Sequence, residues 1–333
     1  MNENRASDAV IETRGLRRAF TSRRGTVEAV AGVDLRVRAG EIFGFLGPNG
    51  AGKTTTLRML ATLLPPTDGE ATVVGYDLRR EPARVREVIG YVGQRGSTDP
   101  AITGRGELIF QGRLYGMNAK DARERAAEML ATLELDVCAD RPSGTYSGGQ
   151  KRRLDIGLGL IHRPKLLFLD EPTTGLDPQS RARMWNEVRR LRERGTTVFL
   201  TTHYLEEADA LCDRLAIIDH GHIVAEGTPD ELKRQIAGDV VTLSVAGEQQ
   251  PALDLLAGQP FAREAGLAEG GIRLYVDRGE TAMPAILRLL DGAGLILETI
   301  ALTRPSLDDV FLRQTGHSLR EEDKPNERYW EVQ

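Results

Sequence analysis

"EIFGFLGPNGAGKTTTLRML", residues 41–60, places an apolar run, a glycine-rich turn and a helical pattern end to end. Residues 41–46 read as a short strand, and the stretch from about Thr54 to Leu64 reads as a helix. Between them, "GPNGAGKTT" (47–55) fits the spacing GxxxxGK[ST] in the strand, loop and helix context that this motif requires. Its glycines let backbone N–H groups turn inward round phosphate oxygens at a helix N-terminus, where the helix dipole favours anions. Gly47, Pro48, Asn49, Gly50, Ala51, Gly52, Lys53, Thr54 and Thr55 are therefore expected to hold the phosphates of a nucleotide. Lys53 would bridge the β- and γ-phosphates, and the Thr54 hydroxyl would ligate Mg²⁺. A glycine turn that merely caps a helix would need the whole Gly, Lys and Thr spacing to be accidental.

Outward from this stretch, strands expected at 10–20, 33–37, 88–93, 165–169 and 197–201 are interleaved with helical patterns at 105–115 and 119–135 and after each later strand. Such alternation implies an α/β domain with a mainly parallel sheet covered on both faces. Residues 10–236 form this unit, which closes on a capping box with Thr228 as N-cap, Pro229 at the first helical position and Glu231 beyond it. Residues 237–316 change texture. Strands at 240–247, 271–277 and 295–303, helices at 251–258 and 282–294 and a last helix at 306–315 predict a small C-terminal α+β domain. The charged, aperiodic segment 317–333 is expected to be a mobile tail.

A chain of 333 residues suits two domains rather than one core. Cys138 and Cys212 are far apart and lie among apolar residues, so they read as small buried hydrophobes in a reducing cytoplasm. No apolar run approaches the ~18 residues of a membrane span, and the charged start lacks the apolar middle of a signal peptide. The net charge is −5, and six lysines among 44 basic residues leave an excess of arginine. Acids are interleaved with these arginines, which excludes nucleic acid as an expected partner.

Two further stretches carry chemistry. "LLFLDE" (166–171) ends an apolar strand in two acids at the sheet's carboxyl edge, where ligands of open α/β sheets bind. Asp170 is expected to hold Mg²⁺ through its water shell, and Glu171 to polarise the water that attacks the γ-phosphate. "YSGGQ" (146–150) opens the helical "KRRLDIGLGLI", so Ser147, Gly148 and Gly149 form a second anion-binding helix terminus. Both termini could serve one nucleotide only if the second folded over the first within a subunit. The alternative is that each serves a different nucleotide across a two-fold interface.

With these residues assembled, the chain resembles the nucleotide-binding subunits of ATP-binding cassette (ABC) transporters over about residues 10–236. The phosphate loop corresponds to Gly47–Thr55, the Q-loop glutamine to Gln94, the signature to Tyr146–Gln150, the D-loop to "TGLD" ending at Asp177, and the switch histidine to His203 in "LTTHYLEEAD". The resemblance implies a P-loop NTPase fold with a helical subdomain and two ATP molecules sandwiched between two subunits. Glu171, His203 and Lys53 are then the expected catalytic groups. Thr54, Gln94 and Asp170 are expected at the metal, and Ser147, Gly148, Gly149, Gln150 and Asp177 at the nucleotide across the interface. The family's adenine-stacking aromatic is usually Tyr. Here it corresponds to Phe20, beyond which "TSRR" looks inserted, and Tyr146 stands where Leu is common in the signature.

"RPSLDDVFLRQTGH" (304–317), the chain length and the "YSGG" form of the signature are similar to daunorubicin/doxorubicin-resistance ATP-binding subunits. That resemblance implies an ATPase at the cytoplasmic face of the cell membrane, peripheral to a separate integral membrane permease that exports a drug, antibiotic or other hydrophobic compound. The segment 94–110 would meet this permease. A homodimer would form on ATP binding. A lipid or ion exporter ATPase with the same architecture is the nearer alternative, and a soluble ABC ATPase outside transport the more distant one.

Overall fold

A computed structural model describes residues 9–22, 25–235, 238–268, 270–303 and 305–316; the expected tail at 317–333 lies outside the described residues. The chain begins with an antiparallel hairpin of β1 (Ala9–Ser22) and β2 (Gly25–Arg38). Then come β3 (Ile42–Leu46), α1 (Lys53–Leu60), β4 (Asp68–Val73), β5 (Tyr76–Asp77), α2 (Pro82–Val88) and β6 (Ile89–Val92). The helices α3 (Gly104–Leu114), α4 (Ala119–Thr132) and α5 (Gly148–Leu160) follow. The first unit ends with β7 (Leu166–Asp170), α6 (Pro178–Glu193), β8 (Thr197–Thr202), α7 (Leu205–Leu211), β9 (Arg214–Asp219) and β10 (His222–Gly227). Beyond it lie α8 (Pro229–Gln235), β11 (Asp239–Val245), α9 (Gln250–Ala257), β12 (Ala262–Ala268), β13 (Gly271–Val276), α10 (Gly279–Gly292), β14 (Leu297–Thr303) and α11 (Leu307–Thr315).

The central sheet has the order β10-β9-β3-β8-β7-β6, parallel from β9 to β6 with β10 antiparallel at the edge. Every residue of β3, β7 and β8 is buried, as expected of parallel strands covered on both faces. Phe199 on β8 meets Phe43, Phe45 and Phe168 at ring-centroid distances of 5.7 Å, locking three neighbouring strands together. A second sheet, β2-β1-β4-β5, packs its apolar residues Ile11, Leu16, Val33 and Val73 into the same core. Burial of each such side chain stabilises by about 1.5–3 kcal/mol.

The C-terminal unit is an antiparallel sheet, β12-β13-β11-β14, with Val241, Leu243 and Val245 of β11 packed into a core with Leu256 of α9 and Ile286 of α10. The two units divide between Pro229 and Asp230, upstream of the boundary at 236/237 read from the sequence. The physical reason lies in α8: Arg313 of α11 donates to the Gln235 carbonyl, tying that helix into the second unit.

Other differences from the sequence reading have local causes. The first helix ends at Leu60, not Leu64, because Thr62 adopts a left-handed φ of 61° and turns the chain. The strand expected at 33–37 is the end of the longer β2, whose pairing with β1 carries register shifts that break the two-residue period. Strand β12 was not expected, since none of its residues is fully buried and its pairing with β13 holds it.

Candidate nucleotide site

Strand order creates the site. β3, β8, β7 and β6 are parallel neighbours, and their carboxyl ends carry the phosphate loop, His203, the Asp170–Glu171 pair and Gln94 respectively. Four stretches remote in sequence therefore meet at one edge, where open α/β sheets bind ligands.

The loop from Gly47 to Gly52 is shaped by close backbone approach. A Cβ on Gly47 would lie 2.2 Å from the Ile218 carbonyl oxygen, and one on Gly52, with φ 105°, would lie 2.4 Å from that of Ala29. Only glycine fits both positions. Asn49 and Gly50 are exposed at the tip, while Ala51 is buried behind it. Lys53, 4 % exposed, donates from Nζ to the carbonyls of Gly47 at 2.7 Å and Pro48 at 2.9 Å. Thr54 and Thr55 follow, half-buried, on the first turn of α1.

Glu171 is the centre of the cluster. Its Oε1 lies 3.7 Å from Lys53 Nζ and 3.3 Å from His203 Nδ1, whose ring is not aligned to donate to it. Its Oε2 accepts from Gln94 Nε2 at 2.9 Å and from the Thr174 hydroxyl at 3.2 Å. Burial alone would raise its pKa, but His203, Lys53 and Thr174 outweigh burial and hold it below the usual carboxylate value. Glu171 is thus an anion at neutral pH. Its φ of 46° turns the chain sharply off β7, and its N–H is pinned to Thr201 at 3.1 Å.

Asp170 is fully buried. Its Oδ1 accepts from the hydroxyls of Thr54 at 3.0 Å and Thr201 at 2.6 Å, whereas Oδ2 is buried without a hydrogen-bond partner. An acceptor-only oxygen left unmatched beside a hydroxyl on the phosphate loop fits a hard divalent cation such as Mg²⁺, which takes one or two carboxylates and completes its shell elsewhere. No cluster of three or more His, Cys, Asp or Glu residues suited to a metal occurs among the described residues.

The remaining residues lie apart from this cluster. Ser147 is the exposed N-cap of α5: its hydroxyl accepts from the Gln150 N–H at 3.3 Å, and Gln150 Oε1 accepts from the Ser147 N–H at 2.9 Å. Gly148 is exposed, and Gly149 lies against Ser180 of α6. Asp177 caps α6 in the same way, accepting from Ser180. Two exposed helix N-termini therefore lie side by side. Phe20 is 42 % exposed under the Arg18 guanidinium and pairs across the hairpin with Val27, two residues from the Ala29 carbonyl that abuts Gly52.

Arg152 escaped the sequence reading. In "KRR" (151–153) nothing marks which basic side chain turns inward, yet Arg152 is buried and donates to the carbonyls of Gly93, Asp170, Glu171 and Pro172. Burial lowers its pKa, and nearby acids partly offset this. Thr201 and Glu207 were missed too; only the position of "LTT" before His203 could have flagged the former.

A phosphate loop, an acid pair, a glutamine and a histidine at one sheet edge, with a glycine signature on a neighbouring helix, define an ABC-type ATPase. The ABC transporter family profile matches residues 30–174, and that of the ATP-binding protein DrrA1-3-like C-terminal domain matches 227–315. The chain is 46 % identical to the daunorubicin resistance ATP-binding protein DrrA2 of Streptomyces coeruleorubidus, covering 90 % of this chain and 94 % of that one. It is 36 % identical to the linearmycin resistance ATP-binding protein LnrL of Bacillus subtilis (strain 168), covering 94 % and 100 %. Among solved structures, the dimeric post-hydrolysis state of the ATP-binding cassette MJ0796 bound to ADP and Pi is similar with a TM-score of 0.61 and 25 % identity, over 66 % of this chain and 98 % of that one. The chain belongs to the ATP-binding subunits of ABC transporters, in the branch of the DrrA-like resistance proteins.

Proposed function

We propose that this ATPase powers a separate membrane permease that exports a hydrophobic compound such as a drug or antibiotic. The observation that carries the reading is the division of the motifs: Lys53, Asp170, Glu171, Gln94 and His203 converge on one sheet edge, while Ser147 and Asp177 stand at two adjacent exposed helix ends. In this reading each ATP is held by the phosphate loop of one copy and the signature of another. A dimeric relative of this fold supports it, as do relatives named for resistance to daunorubicin and linearmycin.

In the mechanism, Lys53 neutralises the phosphates, and anionic Glu171 accepts a hydrogen bond from the attacking water and orients it. Gln94 and His203 hold Glu171 and the terminal phosphate in register. Thr54 and Asp170 would hold Mg²⁺, with Gln94 beside it; the cation would neutralise charge developing on the transferred phosphoryl group. Closure of the two copies, favoured by ATP through its higher affinity for the closed state, is transmitted to the permease. No helix among the described residues is long and apolar enough to cross a membrane. In this reading the chain sits peripherally on the cytoplasmic face, where a cassette of this family would meet its permease. The permease would dock over the segment 94–110 at a cleft of about 370 Å³ lined by Leu63, Tyr91, Phe110 and Tyr115. Phe20 would stack on adenine.

The test is co-expression with a membrane protein encoded beside this chain, reading efflux of a panel of hydrophobic drugs. Efflux that requires both proteins and an intact Glu171 is the expected result. Efflux of lipid or ions alone would favour a different exporter, and drug efflux unchanged when either protein is omitted would remove transport.

A further inference from the structure

The guanidinium of Arg152 is buried on α5, one turn and a half beyond Ser147. Its hydrogen bonds run to backbone carbonyls: Nη1 to Gly93 at 2.6 Å, Nε to Pro172 at 2.9 Å, and Nη2 to Asp170 at 2.9 Å and Glu171 at 3.4 Å. No carboxylate forms an ion pair with it among the described residues, and Asp155, Asp170 and Glu207 offset its burial only from a distance. A desolvated charge satisfied by carbonyl dipoles is costly, and packing alone would be served better by an apolar side chain.

What the guanidinium spans is informative. Gly93 precedes Gln94, and Asp170 to Pro172 bracket Glu171; those two side chains are themselves bonded at 2.9 Å. A rigid planar fork bonded to both segments fixes the separation of β6 and β7 at their carboxyl ends. It also fixes both to the helix that Ser147 caps.

We infer that Arg152 is a positioning residue that couples the signature helix to the Gln94–Glu171 pair of its own subunit. Engagement of Ser147 with one nucleotide thereby sets the geometry of Glu171 toward the other, and the two sites of a dimer hydrolyse cooperatively. This coupling rests on the proposed reading in which α5 faces a second copy.

The experiment uses the full chain carrying Arg152→Lys and Arg152→Gln, assayed for binding of a fluorescent ATP analogue, steady-state hydrolysis and thermal melting. Lysine keeps the charge and loses the fork. Expected for both is analogue binding and KM within about twofold of wild type, kcat reduced about 10²-fold by misplacement of Glu171, and a Hill coefficient falling to 1. Combined with Glu171→Gln, Arg152→Lys should still give an ATP-dependent dimer. Wild-type kcat and Hill coefficient in a folded Arg152→Lys protein would overturn the coupling while leaving the dimer reading intact. Loss of kcat in proportion to loss of folded protein, or failure of Arg152→Lys to fold, would assign Arg152 to the core and overturn it as well. Absence of an ATP-dependent dimer in the single variant Glu171→Gln would overturn the dimer reading and the coupling together.

Discussion

Gln94 Nε2 donates to Glu171 Oε2 at 2.9 Å across the ends of the parallel neighbours β6 and β7. Seventy-seven residues apart in sequence, the two side chains meet in a hydrogen bond because Val92 and Leu169 are register partners just upstream. The anionic oxygen proposed to orient water is thus held by the same glutamine that would approach the metal.

Replacement of Glu171 by Gln keeps the size and the Gln94 contact but removes the charge. Hydrolysis should fall by about 10²–10⁴-fold with nucleotide binding retained, and size-exclusion chromatography should show a dimer only with ATP. A Glu171→Gln protein that turns over ATP at the wild-type rate would remove this residue from the role of base.

Ser147 caps α5, and substitution can separate that duty from the proposed contact with nucleotide. Ser147→Ala removes the α5 cap and should cost about 1 kcal/mol of stability as well as activity, while each monomer still binds nucleotide. Ser147→Asp restores a good cap but sets a negative charge at the helix end. Its melting temperature should match wild type while hydrolysis is lost; normal hydrolysis by the Asp variant would show that the helix end meets no phosphate.

Thr54 Oγ1 on Asp170 Oδ1 makes the proposed Mg²⁺ site open to test. Chelation should abolish hydrolysis, and Thr54→Ala should raise the Mg²⁺ concentration for half-maximal activity by about tenfold or more. Hydrolysis that persists in excess EDTA would rule the cation out.

Glu207 offers a pH signature. It is fully buried, with Oε1 accepting from Thr173 at 2.8 Å and Trp185 at 3.1 Å, and burial raises its pKa despite the hydrogen bonds it receives. A carboxyl with a folded-state pKa above its unfolded one contributes stability below the unfolded value and loses it as pH rises through the folded value. Glu207→Gln lacks this titration, so its stability relative to wild type should increase as pH rises from 4 to 8. Denaturant melts across that range will show it, and a difference constant with pH would contradict it.

The phosphate loop could be read locally because its chemistry is local: Gly47, Gly50, Gly52, Lys53 and Thr54 act through the turn they themselves form. The acid pair after "LLFL" was legible for the same reason, a fully buried strand ending at the sheet edge. The edge strand β12 was illegible, since pairing with β13 rather than an apolar period holds it. The length of β2 was hidden by the register shifts of its hairpin.

By itself, then, the sequence determined the parallel α/β framework and the groups proposed to meet a nucleotide, because burial patterns and motif spacing are written along the chain. Only the tertiary structure decided that Lys53, His203 and Gln94 all converge on Glu171, that Ser147 and Gln150 cap their own helix, and that Arg152 rather than Lys151 or Arg153 turns inward to the strand ends. Strand order brings β3, β8, β7 and β6 together, and a side chain's direction depends on the surface its helix packs against, neither of which is a property of neighbouring residues in the chain.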